Sequence, residues 1–330
     1  MLTDKEKKKL KEQPPHGFEE DFYRDLEGWF TSDIACCDVC YDDFIKNWPH
    51  AYSANEAAFQ RSSIDLASFY SGSRLQDVYT KEEFYKYLQL IPCPSCGERL
   101  KHNIWPYTLP FDIVENFEDK IKEIGGIAQN TPYLLLEHPF AKEVYNAISD
   151  ISKKSKAKKI DTHLYRARVQ ETLKKPDDDN EFDFPPNKVV SEGRYNHAGM
   201  PVLYLGSDPE TCFYEVREAP CIIAKIKITD KIKILDFTNT YDLNKDHSDI
   251  LGTLIYSALM SAKQDDTGWH RPKYVFSRFI SDCAKSAGFD AIQYPSTRAI
   301  NESYNIVILD QKFSLINKGS TIIELTSYGE

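Results

Sequence analysis

The chain contains no run approaching about 18 consecutive apolar residues, so its sequence predicts no conventional membrane-spanning helix. The charged start, MLTDKEKKKLKEQPP, lacks the apolar core of a secretory signal, and the expected location is the cytoplasm. Positive charge is not in excess either. The chain has 41 Lys and Arg against 51 Asp and Glu, a formal charge of -10, so nucleic acid is not the expected partner. There is no GxGxxG fingerprint of the kind that cradles a redox dinucleotide at a strand-to-helix turn. Internal repeats and extended low-complexity tracts are absent, which argues against a solenoid or a disordered linker protein.

What is present is a folded composition. At 330 residues, with 41% hydrophobic and 13% aromatic residues, the chain has room for two domains with their own cores. The first dozen residues read as a frayed helix or tail. Up to residue 152 the apolar spacing is mostly helical, as in Phe111, Val114, Phe117, Ile121 and Ile124 and again in Phe140, Val144 and Ile148. Residues 153–160 follow, with five lysines between Lys153 and Lys159 and no apolar periodicity, and read as an exposed basic linker. Residues 161–330 change character. Strands are expected at 163–169, 202–205, 221–228, 232–237, 291–294, 305–309 and 321–325. Helices are expected at 251–260 and 275–287, the latter closed by Gly288. Clustered strands with interspersed short helices predict an α+β domain.

Two constellations carry chemistry. The first is Cys37, Cys40, Cys93 and Cys96, two C-x-x-C pairs separated by 52 residues, with Gly97 directly after the second. Two thiolates three apart on a turn reach one tetrahedral ion, so structural zinc is the expected occupant, with Cys36 an alternative to Cys37. A site of four thiolates leaves no open position for water and is assigned to stability, while buried, unligated cysteine is the ordinary alternative.

The second constellation centres on residues 193–217, GRYNHAGMPVLYLGSDPETCFYEVR. A strand bounded by Pro201 and Gly206 leads to Asp208 and Pro209, a capping side chain before a proline at the first helical turn. Glu215 lies off the apolar stripe of Phe213 and Val216. Taken alone, Glu215 reads as a solvated helix residue. Arg166 in the strand LYRAR, Tyr204 in VLYLG and Ser296 in QYPSTR have equally ordinary readings as surface, core and turn residues.

Together, the order Tyr-Arg, Gly-Arg-aromatic-Asn, Leu-Tyr-Leu, Asp-x-Glu-Thr, Glu-Val and Tyr-Pro-Ser resembles the RES domain, over about residues 161–312. The family's named arginine, glutamate and serine correspond to Arg166, Glu215 and Ser296, with Arg168 an alternative to Arg166. GRYN (Arg194, Tyr195 and Asn196 after Gly193) and LYLGSDPET match the central signature. The resemblance implies a fold like that of the ADP-ribosyltransferases and an activity that degrades NAD, as the toxin of a toxin–antitoxin pair. It implies catalytic roles for Arg166, Glu215 and Ser296, and NAD contacts for Tyr204, Arg194, Tyr195 and Asn196. NAD is then a substrate and not a bound redox cofactor. The amino-terminal half resembles the helical region of larger RES proteins, which is similar to HEPN domains. It carries no Arg-x4-6-His pair of the kind a HEPN ribonuclease needs, and reads as a scaffold, sensor or self-association domain. An antitoxin is a further expected partner. The acidic stretch 177–183 reads as a solvated loop, or as a lid over the GRYN turn. The alternatives are ADP-ribosyl transfer to a protein and a zinc-scaffolded binding module without activity.

Overall fold

The structure, a computed structural model, describes residues 17–29, 34–39, 41, 63–91, 93, 100, 102–107, 113–238, 247–260, 274–296 and 303–329. The chain forms two compact units, Met1–Pro49 with Ser53–Pro110, and His50–Tyr52 with Phe111–Glu330. The division therefore falls ahead of the lysine run, and residues 153–159 lie inside the second unit.

In the first unit, α1 (Phe18–Trp29) sets Phe18, Phe22 and Leu26 four residues apart on one face, and all three are buried. They form one core with Phe69 of α2 (Leu66–Gly72), Leu75 of α3 (Leu75–Val78) and Phe84 of α4 (Lys81–Leu88). Burying each such ring contributes about 1.5–3 kcal/mol. Capping sets the helix starts: Asp65 accepts from the Ser68 N–H at 3.0 Å, and Thr80 and Glu83 form a reciprocal capping box.

This half is not helical throughout. β1 (Ile34–Cys37), β2 (Ile64–Asp65) and β3 (Asn103–Tyr107) make an antiparallel sheet in the order β1-β3-β2. Pro106 is tolerated in the central strand because β2 pairs only with Asn103 and Ile104, so at Pro106 the strand has β1 as its one neighbour. Asp38, in the turn after β1, accepts from the Asn103 N–H at 3.0 Å, Asn103 Nδ2 at 2.9 Å and Trp105 Nε1 at 2.9 Å. Partial burial opposes its charge, but these hydrogen bonds outweigh it and hold the carboxyl below its ordinary value.

The second unit is built on a seven-stranded sheet. Its strands are β4 (Leu164–Val169), β5 (Leu203–Gly206), β6 (Cys221–Ile228), β7 (Ile234–Asp236), β8 (Ala291–Pro295), β9 (Tyr304–Ile308) and β10 (Ser320–Tyr328). They lie in the order β10-β6-β4-β5-β9-β8-β7, antiparallel except for β7 on β8. Alternate residues, among them Leu164, Leu203, Leu205, Ala224, Ile226, Ile306 and Ile308, bury the main core. A smaller cluster joins Cys212 of α7 (Pro209–Glu215) to Cys221 and Ile223, with Ala167 packed on it.

Among the described residues this unit has four more α-helices: α5 (Phe117–Asn130), α6 (Pro139–Lys154), α8 (Ser248–Met260) and α9 (Val275–Ser286). Phe276 of α9 stacks on Phe140 of α6 at 6.1 Å between ring centroids and meets Phe117 of α5 edge-on at 5.7 Å. Lys233 Nζ donates to Ser152 Oγ at 2.6 Å, and Lys158 pairs with Ile232 in an isolated bridge. The lysine run therefore closes α6 and then joins the sheet region. Gly288, with a φ of 82°, ends α9 as the sequence predicts. No helix among the described residues is long and apolar enough to cross a membrane.

Candidate active site

The site begins where two strands part. β4 and β5 pair at a single position, Tyr165 opposite Gly206. Beyond it β4 stays on β6 along its whole length, while β5 stays on β9. Cys212 of α7 sits at this parting. Its Sγ–H donates to the Tyr165 carbonyl at 3.2 Å, and the backbone N–H groups of Gly206 and Ala167 reach the sulfur. A Cβ at Gly206 would lie 2.7 Å from that sulfur, so glycine is required there. Burial pushes the Cys212 thiol up to about 12, which makes it a neutral packing group and not a nucleophile.

The parting opens into a cavity of about 360 Å³ whose wall includes Arg166, Arg194, Tyr204 and Glu215. α7 delivers the glutamate. Asp208 accepts from the Thr211 N–H at 2.7 Å and from Thr211 Oγ1 at 2.6 Å, and Pro209 starts the first turn. The helix stops at Glu215, and Arg217 and Glu218 then take left-handed φ values of 60° and 57°. Glu215 is exposed at the mouth, where its Oε1 accepts from Asn305 Nδ2 at 2.9 Å. Asn305 is itself buried on β9, so it fixes the direction of the carboxylate.

The GRYN turn contributes Gly193 and Arg194 to the cavity wall. Gly193 and Asn196 pair with each other. The Tyr204 hydroxyl accepts from the Tyr195 N–H at 2.9 Å and donates to Asn196 Oδ1 at 3.0 Å. A Cβ at Gly193 would meet Asn196 Oδ1 at 2.3 Å and the Tyr204 hydroxyl at 2.9 Å, which explains the glycine. Tyr195 and Asn196 are buried and hold the turn from behind, and neither lines the cavity. The Arg194 guanidinium lies 5.1 Å from the centroid of the Tyr294 ring. Burial opposes its charge, but Tyr294, Tyr195, Glu215 and Tyr274 outweigh burial and raise its pKa.

Arg166 is the least satisfied group of the site. It is 9% exposed and its Nε has no hydrogen-bond partner. Burial, followed by repulsion from Arg168, lowers its pKa to about 10, with Asp183 and Cys212 acting in the opposite direction. A guanidinium on a cavity wall is suited to an anionic or carbonyl ligand, while its orphaned Nε is itself shielded from the cavity. Arg168 lines a different cavity, of about 410 Å³, together with residues of the 172–189 segment. Within that segment Asp183 accepts from the Leu315 N–H at 3.0 Å and Phe182 is fully buried, so the acidic stretch is tied to the domain.

Ser296 follows β8, whose Tyr294 lines the cavity. It is fully buried after β8, its N–H donates to the Ser303 carbonyl at 2.9 Å, and it is not on the cavity wall. The wall carries Tyr294, the tyrosine of the Tyr-Pro-Ser motif, which was given no role of its own, together with Tyr274, Asn305 and Cys212, which no motif singled out. Asn305 left one signal, a lone amide at the head of the apolar run NIVIL.

Of the proposed metal ligands, Cys37 and Cys93 are both buried in the core of the first unit, while Cys40 and Cys96 lie outside the described residues. Among the described residues no group of three or more His, Cys, Asp or Glu side chains could hold a metal ion.

A mixed sheet parted between two strands, with two arginines, a tyrosine and a glutamate around a cavity of about 360 Å³, defines an α+β domain with charged and aromatic side chains on one pocket wall. Residues 163–326 match the family model of the RES domain, about half of the chain, and this part of the protein is a RES domain. Among solved structures the chain is similar to one from the M. tuberculosis MbcT–MbcA toxin–antitoxin complex. The identity is 12% and the TM-score 0.38, over 56% of this chain and 92% of that one. No curated protein matches the chain.

Proposed function

We propose that the protein degrades NAD by cleaving the bond between nicotinamide and ribose, with water or phosphate as acceptor. The observation that carries this reading is the convergence on one cavity of Arg166, Arg194, Tyr204 and Glu215, four of the seven residues the RES resemblance nominates, with Glu215 oriented by Asn305. As the C1′–N bond breaks, its electron pair leaves with nicotinamide and the ribose becomes an oxocarbenium ion. A carboxylate beside C1′ stabilises that charge. Water or phosphate then forms the new bond to C1′, giving ADP-ribose or its 1″-phosphate, and a proton is released to solvent. Arg166 and Arg194 suit the pyrophosphate and the carboxamide, and the Tyr204 ring supplies a stacking face.

The exposure of Glu215 at the mouth favours a second reading, in which a side chain of a target protein takes the place of water. Incubating purified protein with NAD and identifying the ribosyl product separates the readings. Free ADP-ribose or its phosphate supports the first, and label fixed on a protein supports the second. The RES assignment further supports a toxin or defence effector restrained by an antitoxin or by its own first unit. A structural zinc on Cys37, Cys40, Cys93 and Cys96 also belongs to the proposal, supported by the paired spacing of the cysteines.

A further inference from the structure

One helix face reaches both ends of the GRYN turn. Along α9 and the residue that caps it, Tyr274, Arg278 and Asp282 recur every four residues, which sets them on one side of the helix over about 12 Å. Tyr274 lines the cavity. Arg278, only 4% exposed, places Nη1 3.3 Å from Glu192 Oε2, immediately before Gly193. Asp282 Oδ2 lies 2.8 Å from His197 Nε2, immediately after Asn196. The paired residues Gly193 and Asn196, with Arg194 between them, are therefore held at both ends by partners from a single helix.

We propose that Arg278 and Asp282 are positioning residues for the pocket: α9 clamps the turn at Glu192 and His197 and thereby fixes Arg194 against Tyr294. Neither residue touches the cavity, so both act through the turn. Arg278 is the stronger half of the clamp, because its ion pair is the more buried of the two; it adds to the Tyr204 hydroxyl, which holds the middle of the turn. The clamp also ties the pocket to residues beyond the RES match. Phe276, on the same helix, packs against Phe117 and Phe140 of α5 and α6, so those helices brace the element that holds the turn.

The catalytic consequence rests on the NAD reading, but the positioning itself does not, and the test keeps them apart. In the full-length protein, Glu192→Gln, Glu192→Asp and Asp282→Asn are compared with the parent by amide hydrogen exchange and by NAD turnover. Glu192→Gln is expected to speed exchange at the Gly193 and Tyr195 amides by on the order of tenfold while the amides of β6 are unchanged. It is also expected to lower kcat by on the order of tenfold to a hundredfold through misplacement of Arg194. Glu192→Asp, which keeps the charge, should recover part of both effects. Asp282→Asn, at the more exposed pair, should shift both in the same direction by a smaller factor, and it serves if Glu192→Gln fails to fold. Unchanged exchange at the turn in the folded variants overturns the clamp. Faster exchange with unchanged kcat and KM overturns the positioning role. A parent protein that consumes no NAD refutes the functional reading and leaves the exchange result to decide the clamp.

Discussion

Replacing Tyr204 with phenylalanine separates the two tasks the structure gives that residue. The ring lines the cavity and remains in Tyr204→Phe, whereas the hydroxyl that holds the GRYN turn is lost. Its removal leaves the Tyr195 N–H and Asn196 Oδ1 without this partner, and both residues are buried. Two groups stranded in this way cost about 2–4 kcal/mol together. At about 2–4 °C per kcal/mol for a unit of this size, the midpoint of its transition should fall by roughly 5–15 °C. Urea unfolding should show a lower midpoint with an unchanged m-value, since the same surface is exposed. Adding Asn196→Ala should cost less than the sum of the single effects, because the two residues share a hydrogen bond. A Tyr204→Phe protein whose midpoint stays within about 1 °C of the parent would refute the view that this hydroxyl organises the turn.

Other perturbations test neighbouring parts of the site and fold. Gly206→Ala should destabilise by about 1–3 kcal/mol by driving a methyl into Cys212 Sγ, and Cys212→Ala in the same chain should recover part of the loss, measured by denaturant midpoint. Arg166→Met should raise stability by about 1–3 kcal/mol, since it removes a buried cation with an unpaired donor, while abolishing NAD loss; a destabilised variant would show that Arg166 is better satisfied than its geometry indicates. The folded-state pKa of Asp38 lies below its ordinary 3.8, so its contribution is present above that pH and is lost as pH falls through the lower folded value. Asp38→Asn should therefore flatten the acid side of the stability profile below about pH 4, and an unchanged profile would contradict this. Metal analysis should find zinc in the parent and less in Cys93→Ser; equal content would count against the proposed ligands.

Local signals carried most of the second unit. Asp208 before Pro209 announced α7, Gly288 announced the end of α9, and the alternating runs near 164–169 and 221–228 became central strands. Ends slipped where the last residue depends on a neighbour, as at β10, which runs to Tyr328 because it follows β6 as far as Cys221. The sheet of the first unit left little trace, since β2 is two residues long and β3 contains a proline. Within the site, Arg166, Arg194, Tyr204 and Glu215 were nominated by motif order, yet their meeting depends on the parting of β4 from β5, which no local pattern encodes. Tyr274, Tyr294 and Asn305 come from separate elements and look like ordinary core residues until the sheet brings them together. Ser296 shows the converse, a motif residue that is fully buried and does not line the cavity.

Under the proposed function Glu215, held by Asn305 at the parted strands, faces the reacting ribose of NAD. Nicotinamide release from NAD, followed with purified protein supplied with phosphate and free of any inhibitor, tests it most directly when the parent is compared with Glu215→Ala. Release by the parent and a loss of at least about a hundredfold in the variant are expected, with both proteins folded. Release at equal rates by the two proteins, or none from the folded parent, would contradict it.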